Sequence, residues 1–195
     1  MKVLDVGPGN EPFPLAQVVV EKYPDDDTHR AWRAEGRRRS FDPGEREVIV
    51  ADVCALPFTD KSFDYVWCSA VLEHVEEPGK AVDELCRVGK SGALIVPHFA
   101  SELASQIFYP DRATHHRWTC FRDPYILHFV ECDTRDKQQT MGVLQSLSGG
   151  IPRGVLPLYQ YLEIRMVWGP EAARANDRVL WEEIRKPKGE KPTNG

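Results

Sequence analysis

The segment Val3-Leu4-Asp5-Val6-Gly7-Pro8-Gly9 decides the fold class of this chain. A short apolar strand runs directly into a Gly-x-Gly loop, as the first strand of an open α/β sheet does beside its ligand. A dinucleotide-binding loop would carry a third glycine at the position of Pro12. The segment therefore predicts an α/β sheet with a ligand at its carboxyl edge, and it disfavours the pyrophosphate-binding form of the loop.

Further apolar runs predict the rest of a parallel sheet. Continuous apolar runs suit strands buried on both faces, and their alternation with helical segments is typical of a sheet covered by helices. One helix is expected between the fourth and fifth strands, because Ala81, Val82, Leu85 and Val88 share a face, with Pro78 near its start and Gly92 beyond its end. The predicted strands are residues 3–6, 18–21, 48–51, 65–68 and 93–96.

The first crossover is unusually short. A parallel crossover normally takes a dozen or more residues, whereas residues 7–17 include Pro8, Pro12 and Pro14. We therefore expect the usual helix to be reduced to a turn or two.

The remaining segments have weaker patterns. Five arginines between residues 30 and 39 suggest the solvated face of a short helix, or a contact with an anionic substrate or RNA. A Pro43-Gly44 turn follows. Later we expect helices at 101–108 and 171–185, strands at 126–131 and 161–168, a mobile loop at 148–154, one domain over 1–185 and a disordered tail at 186–195.

Composition narrows the function classes. The chain has 195 residues, 42% of them hydrophobic, and a formal net charge of −5. These values are typical of a globular protein, and the acidic balance disfavours a nucleic-acid partner. The apolar runs are too short to span a membrane and no secretory signal is visible, so we expect a cytoplasmic protein. Five scattered cysteines predict reduced, mostly packed thiols.

Two carboxylates follow predicted strands. Glu21 ends the second strand, where an acidic side chain can accept hydrogen bonds from both hydroxyls of a ribose. It could equally be a surface carboxylate paired with Lys22 or an arginine. Asp52 closes the third strand and could accept a hydrogen bond from an adenine amine, with Val53 or Leu56 covering the purine, or it could cap the following turn.

Four motifs in this order carry a family resemblance: Leu4-Asp5-Val6-Gly7-Pro8-Gly9, Leu56-Pro57-Phe58, Phe63-Asp64 and Leu72-Glu73-His74-Val75. The chain resembles a class I S-adenosylmethionine-dependent methyltransferase of the methyltransferase type 11 subgroup, over roughly residues 2–98. The resemblance implies a Rossmann-like methyltransferase fold. Its central sheet would be mostly parallel, seven-stranded or slightly reduced, with helices on both faces and an antiparallel carboxyl-terminal edge.

The resemblance also implies a cofactor and the residues that hold it. S-adenosylmethionine would have its methionine part lined by Asp5, Gly7, Pro8 and Gly9, and its sulfonium end near Ser69. Glu21 would hold the ribose, and Asp52 with Val53 the adenine. The chain departs from the family in having Glu11 at the usual third glycine and no room for a full first helix. The implied reaction is methyl transfer to an oxygen or nitrogen of a small-molecule acceptor, with release of S-adenosylhomocysteine.

Catalysis of this kind depends mainly on positioning, and a base is needed only when the acceptor must lose a proton. His74, His98, His115 and His116 are the candidates, each with a structural role as the alternative. No metal site is expected, because His98, His115, His116 and His128 lack a standard ligand spacing. Trp118, Phe121 and Tyr125 could form an aromatic wall of the acceptor pocket or part of the core.

Two other functions stay open. The chain could be a catalytically silent S-adenosylmethionine-binding module or partner subunit, or a nucleotide-linked oxidoreductase, which Pro12 disfavours. Family members often place helices ahead of the first strand as a substrate lid. Here we expect an open site, or one closed by the carboxyl-terminal half or by a second protomer in a homodimer.

Overall fold

The computed structural model describes residues 1–26, 41–98, 116–123, 126–131, 163–170 and 178–185. In these ranges no helix is long and apolar enough to cross a membrane. The elements in chain order are β1 (Val3–Val6), β2 (Val18–Val20), β3 (Glu47–Ile49), β4 (Phe63–Ser69), α1 (Pro78–Val88), β5 (Gly89–Pro97), β6 (Trp118–Asp123), β7 (Ile126–Glu131), β8 (Glu163–Trp168) and β9 (Leu180–Ile184).

The main sheet has six strands in the order β3-β2-β1-β4-β5-β8. The first five are parallel, and β8 runs antiparallel beside β5. This confirms the predicted α/β class with an antiparallel carboxyl-terminal edge. The strand order reverses between β1 and β4, and ligands of open α/β sheets bind beyond the carboxyl ends of the strands at such a point.

The predicted helix between β4 and β5 is present, but its end was placed wrongly. It begins at Pro78 as expected, ends at Val88 and passes directly into β5 at Gly89. Gly92 lies inside β5, where an added Cβ would overlap the ring of Trp168 and the carbonyl oxygen of Val66. Close packing of an aromatic ring, and not a helix stop, explains this glycine.

The hydrophobic core lies between the main sheet and α1. Side chains alternate between the faces of a strand, so Leu4 and Val6 of β1 point to the α1 face while Val3 and Asp5 point to the other. In the described part of the chain α1 is the only helix, so helices on the second face stay a prediction. Large buried members of the core are Leu4, Phe63, Leu72, Leu85, Leu94, Trp118, Phe129 and Trp168.

A second, three-stranded sheet in the order β6-β7-β9 was not predicted as such. The strand Ile126–Glu131 is confirmed, and the strand expected at 161–168 is present as Glu163–Trp168. The final helix expected at 171–185 is wrong where the structure describes it, because Leu180–Ile184 is a strand parallel to β7. Tertiary pairing overrides local helix propensity there.

Strand β9 of the second sheet packs against α1. The indole nitrogen of Trp181 donates to Asp83 at 3.0 Å, and the Gly79 N–H donates to Glu183 at 2.9 Å. An added Cβ on Gly79 would overlap the Trp181 ring, so only glycine allows this approach. Strand β9 therefore packs along one flank of α1, while Lys80 and Asp83 of the helix stay exposed.

The first crossover contains turns but no helical turn, so the expected short helix is wrong. Phe13 instead lies flat on Trp67 of β4, with ring centroids 4.6 Å apart. The Phe13 N–H donates to Asp5 at 2.7 Å, and the Val3 N–H donates to the side chain of Gln17 at 2.8 Å. The loop thus covers the sheet face that a helix would otherwise cover.

Several predictions fall outside the described residues. They are the arginine-rich helix, the helix at 101–108, the loop at 148–154 and the tail at 186–195. The Pro43-Gly44 turn is confirmed, with the Arg46 N–H donating to the Pro43 carbonyl oxygen at 3.3 Å.

Arg87 joins α1 to the loop that carries the Leu-Pro-Phe motif. Its guanidinium donates to the carbonyl oxygens of Leu56 and Phe58 at 3.0 and 2.7 Å, and to Glu84 and Asp60. Glu84 in turn accepts from the Leu56 N–H at 2.9 Å. The hydrogen bonds with Glu84 and Asp60 raise the pKa of Arg87 further, so the group stays charged. The Leu-Pro-Phe motif therefore has a structural role, because its backbone holds this loop against α1.

Replacing Arg87 should destabilise the protein. Losing one partner of a buried pair costs about 3–5 kcal/mol and a surface pair below about 1 kcal/mol; with 31% of its side chain exposed, Arg87 lies between these limits. We expect Arg87→Ala to lower the free energy of unfolding by roughly 2 kcal/mol in urea titration. Lys80→Ala, which removes an exposed pair with Glu77, is the control, and equal effects of the two variants would contradict the assignment.

Candidate cofactor and acceptor site

The predicted cofactor residues lie along the carboxyl edge of β1, β2 and β3. Asp5 lies in β1, and Gly7 directly follows this strand. Glu21 follows the last residue of β2, and Asp52 lies three positions beyond β3. These strands are neighbours in the sheet. The topology therefore brings residues separated by up to 47 positions, from Asp5 to Asp52, to one edge.

The two glycines of the first loop have different surroundings. Gly7 and Gly9 both have positive φ angles, 67° and 60°, which favour glycine. An added Cβ at Gly7 would overlap the side chain of Val71, whereas no described residue lies within 4 Å of one at Gly9. The Gly7 N–H donates to the Val20 carbonyl oxygen at 2.8 Å, which fixes the loop. Gly9 thus leaves open space of the kind a bound ligand needs.

Asp5 is buried at the base of this loop, with 2% of its surface exposed. Burial raises its pKa to about 6, against the opposing effects of the Phe13 N–H and the charge of Arg46. The charge of Glu21 raises this pKa further. The environment therefore favours binding of a positively charged group near Asp5.

Glu21 is partly exposed at the end of β2. Its Oε1 accepts from the Tyr23 N–H at 3.0 Å, and its own N–H donates to the Ile49 carbonyl oxygen. The backbone bond ties the carboxyl ends of β2 and β3 together. No ion pair between Glu21 and Lys22 is present among the described contacts, since Lys22 binds Asp52.

Asp52 is shared between two neighbours. Its Oδ2 accepts from Lys22 Nζ at 2.7 Å, and its Oδ1 accepts from the Cys54 N–H at 2.8 Å. Burial alone would raise the pKa of Asp52, but these hydrogen bonds outweigh it and lower the pKa. The turn-capping role is therefore present, and each carboxylate oxygen keeps a second lone pair for a ligand donor. Val53 beside it is buried.

Ser69 is the last residue of β4 and is partly buried. It is followed by Ala70 at a positive φ of 56°, whose N–H donates to the Ile95 carbonyl oxygen at 3.0 Å. This abrupt turn ends β4 beside β1, on the other side of the point where strand order reverses. Ser69 therefore stands at the carboxyl edge of β4, and its place near the sulfonium end of a cofactor stays a prediction.

The candidate histidines lie on the β4 and β5 side of that point. His98 follows β5 and faces Phe121 of β6, with ring centroids 6.4 Å apart. His74 and His116 pack edge to face with centroids 4.7 Å apart. His115 lies outside the described residues.

Glu73 holds the turn after β4 against the start of β6. Its carbonyl oxygen accepts from the N–H groups of Arg117 and Trp118 at 2.8 and 3.2 Å, and its side chain is 1% exposed. Trp118 is fully buried and donates its indole N–H to the Val75 carbonyl oxygen at 2.7 Å. Trp118 is therefore part of the core and not a pocket wall, while Tyr125 lies outside the described residues.

Four of the five cysteines are described, and none is in a disulfide, as predicted. Burial raises the pKa of the Cys54 thiol to about 11, with a further contribution from the Asp52 carboxylate. Burial also raises the pKa of Cys68 well above its ordinary value. Both thiols stay protonated at neutral pH, which disfavours a nucleophilic role.

Sequence reasoning missed Phe13 and Arg46, which both bear on Asp5. Phe13 donates the hydrogen bond to Asp5, and Arg46 donates to the Phe13 carbonyl oxygen at 3.5 Å. Phe13 lies between two prolines in the shortened crossover, and this single aromatic residue of the loop is the signal that could have identified it. Arg46 had no such signal, because it comes from the turn before β3.

Removing the charge of Asp5 should stabilise the protein at neutral pH. The folded pKa is about 6 and the ordinary value is 3.8, so stability falls as pH rises between these values. Asn at this position can still accept from the Phe13 N–H. We expect Asp5→Asn to be more stable than wild type above pH 6 by up to about 3 kcal/mol, a difference that disappears below pH 4. Urea titrations across this range test it, and a difference independent of pH would contradict it.

Comparisons with known proteins agree with the motifs. The methyltransferase domain family matches residues 4–96. The chain is 34% identical over 116 residues to a demethylmenaquinone methyltransferase from Renibacterium salmoninarum, covering 58% of this chain and 46% of that protein. It is 49% identical over 61 residues to one from Clavibacter sepedonicus, covering 31% of this chain and 25% of that protein.

Among solved structures, a Haloferax volcanii complex of the Trm112 activator with a methyltransferase covers 60% of this chain and 54% of that chain, with a TM-score of 0.41 and 20% identity. The chain spans less than half the length of the two curated relatives. Residues 4–96 thus match the methyltransferase domain family, in agreement with the class I S-adenosylmethionine-dependent type that the sequence motifs resemble.

Proposed function

We propose that this chain transfers a methyl group from S-adenosylmethionine to an oxygen or nitrogen of a small-molecule acceptor and releases S-adenosylhomocysteine. The observation that carries the proposal is the row of Asp5, Gly9, Glu21 and Asp52 along the carboxyl edge of β1, β2 and β3. We further propose a single methyltransferase domain over residues 1–185. A location in the cytoplasm stays a prediction from the sequence.

The residues present fit the cofactor. The open space at Gly9 allows the methionine part to approach the backbone, and the raised pKa of Asp5 favours a positively charged partner. Glu21 is partly exposed and carries acceptor oxygens suited to ribose hydroxyls. Asp52 and buried Val53 offer an acceptor and an apolar surface for a purine.

The chain's own residues need to supply little beyond positioning. S-adenosylmethionine brings a sulfonium leaving group, so the transfer is a direct displacement at its methyl carbon. Asp5 and Glu21 would orient the donor, and the turn at Ser69 and Ala70 would border the methyl group. His98 at the end of β5 is our candidate for accepting a proton from an acceptor hydroxyl or amine. His74 and His116 lie by Glu73 on the same side of the sheet.

A small-molecule acceptor is supported by two observations. Both reported relatives are named demethylmenaquinone methyltransferases, whose substrate is a small molecule. The formal net charge of −5 disfavours a nucleic-acid acceptor. We propose no closer identity for the acceptor, and a homodimer that closes its site stays a prediction.

A second function is favoured by the shortened first crossover. Phe13 and a loop replace the usual helix behind the cofactor loop. A domain altered at that place could bind S-adenosylmethionine without turnover, as a sensor or as the partner of an active subunit. Release of S-adenosylhomocysteine with any acceptor would exclude this reading.

Cofactor binding is tested by calorimetric titration with S-adenosylmethionine and S-adenosylhomocysteine. Loss of a charge-assisted hydrogen bond costs roughly 1.5–3 kcal/mol, so Glu21→Gln should weaken binding about tenfold or more. Glu45→Gln removes an exposed carboxylate at the opposite edge of the sheet and should leave the affinity unchanged. Absence of binding by the wild-type chain would refute the proposal, and equal weakening by both variants would refute the assigned role of Glu21.

A further inference from the structure

We propose that Glu73, His74 and His116 form a binding site for one divalent transition-metal ion of the Zn²⁺ type. One ligand atom from each of these residues lies within 4.8 Å of the other two. The three side chains come from two segments far apart in the chain, the turn after β4 and the residue preceding β6 by two positions. The sequence predicted no metal site because its histidines lack a standard ligand spacing. The present cluster arises instead from residues that the fold brings together.

The separations suit a metal better than direct hydrogen bonds. Glu73 Oε1 lies 3.9 Å from Nε2 of His74 and 4.0 Å from Nε2 of His116. Both distances exceed the hydrogen-bond range. Ligands about 2.0–2.1 Å from a tetrahedral ion are roughly 3.3 Å apart. All three pairs of ligand atoms lie within 4.8 Å, so side-chain rotations that move these atoms by about an ångström would bring them to an ion.

The chemical character of the set supports the same reading. Two imidazoles and one carboxylate are a ligand combination known from zinc sites that keep an open fourth position. Glu73 is 1% exposed, whereas the side chains of His74 and His116 are 39% and 22% exposed. The exposed side of the cluster leaves the fourth position to water or to an oxygen of a small ligand.

Backbone hydrogen bonds preorganise the two segments. The His74 N–H donates to the Val71 carbonyl oxygen at 3.0 Å, and the Glu73 carbonyl oxygen accepts from Arg117 and Trp118 next to His116. The indole of Trp118 donates to Val75 at 2.7 Å. These bonds join the ligand-bearing segments on both sides of the cluster, so little backbone ordering is left to oppose metal binding.

The cluster lies on the β4 side of the strand reversal, while the proposed cofactor residues lie on β1, β2 and β3. A metal ion in the cluster would lie on the side of the sheet where the proposed function places the acceptor. Only this nearness to the acceptor rests on the proposed function. The metal site itself depends on none of the cofactor residues, so the two proposals can fail separately.

Metal binding is tested by titrating chelator-treated protein with Zn²⁺ in a calorimeter and with Co²⁺ by visible absorption. We expect one ion per chain and a Co²⁺ spectrum of low-symmetry, four- or five-coordinate type. His74→Gln and His116→Gln should each weaken Zn²⁺ binding by about 100-fold or more, since loss of an outer-shell partner alone costs about 10–100-fold.

His128→Gln is the matched control. The side chain of His128 is 20% exposed, close to the 22% of His116, and its Nδ1 lies 3.0 Å from Glu182 outside the cluster. It should bind Zn²⁺ as the wild type does. Circular dichroism checks that each variant is folded. Both ligand variants replace partly exposed side chains, and one of them in folded form is enough to test the site.

The proposal is overturned if the wild type binds no stoichiometric ion, or if both ligand variants bind as tightly as His128→Gln, which would indicate an adventitious ion only. Each protein is also titrated with S-adenosylhomocysteine. Loss of metal binding with unchanged affinity for this ligand supports a separate metal site. Absence of S-adenosylhomocysteine binding in a wild type that binds metal would refute the proposed function and leave the metal site standing.

Discussion

The hydrogen bond from the Phe13 N–H to buried Asp5 is the constraint on which the β1 and β2 side of the structure depends. It holds the shortened crossover against β1, so that Phe13 lies on Trp67 and covers a sheet face without a helix. The same bond fixes the carboxylate below the Gly7 and Gly9 loop. A buried acid that pays a desolvation cost and is held in place by a backbone donor is suited to meet a cationic ligand.

The sequence predicted the part of the fold in which local pattern and tertiary environment agree. The strands β1 and β2 and the apolar face of α1 are buried in the way that their sequence pattern indicates. The edge strand β3 is only partly buried, although its apolar run predicted burial on both faces. The last strand was mistaken for a helix because Glu and Arg dominate it locally, while Trp181 packs on Gly79 and sets its conformation. Contacts between a helix and a strand so distant in the chain leave no periodic signal in either segment.

The same reasoning explains what was found at the site. The convergence of Asp5, Glu21 and Asp52 on one edge of the sheet follows from the strand pattern, because the carboxyl ends of neighbouring parallel strands meet there. Their roles toward a cofactor stay predictions. The approach of His116 to Glu73 was not, since it depends on how β6 is tied to the turn after β4. The strand pattern also does not indicate that Arg46 lies close enough to Asp5 to lower its pKa, or that Lys22 pairs with Asp52.

The family motifs divide into two physical roles. The Leu-Pro-Phe loop is fixed to α1 by Arg87 and Glu84, so its residues support the frame. The Asp-Val-Gly-Pro-Gly loop instead leaves open space at Gly9, where a ligand can approach. Between these roles lies Leu72-Glu73-His74-Val75, whose Leu72 is in the core while Glu73 and His74 face His116. This motif therefore both anchors a turn and carries the proposed metal ligands. The strand reversal between β1 and β4 separates it from the proposed cofactor residues on β1, β2 and β3.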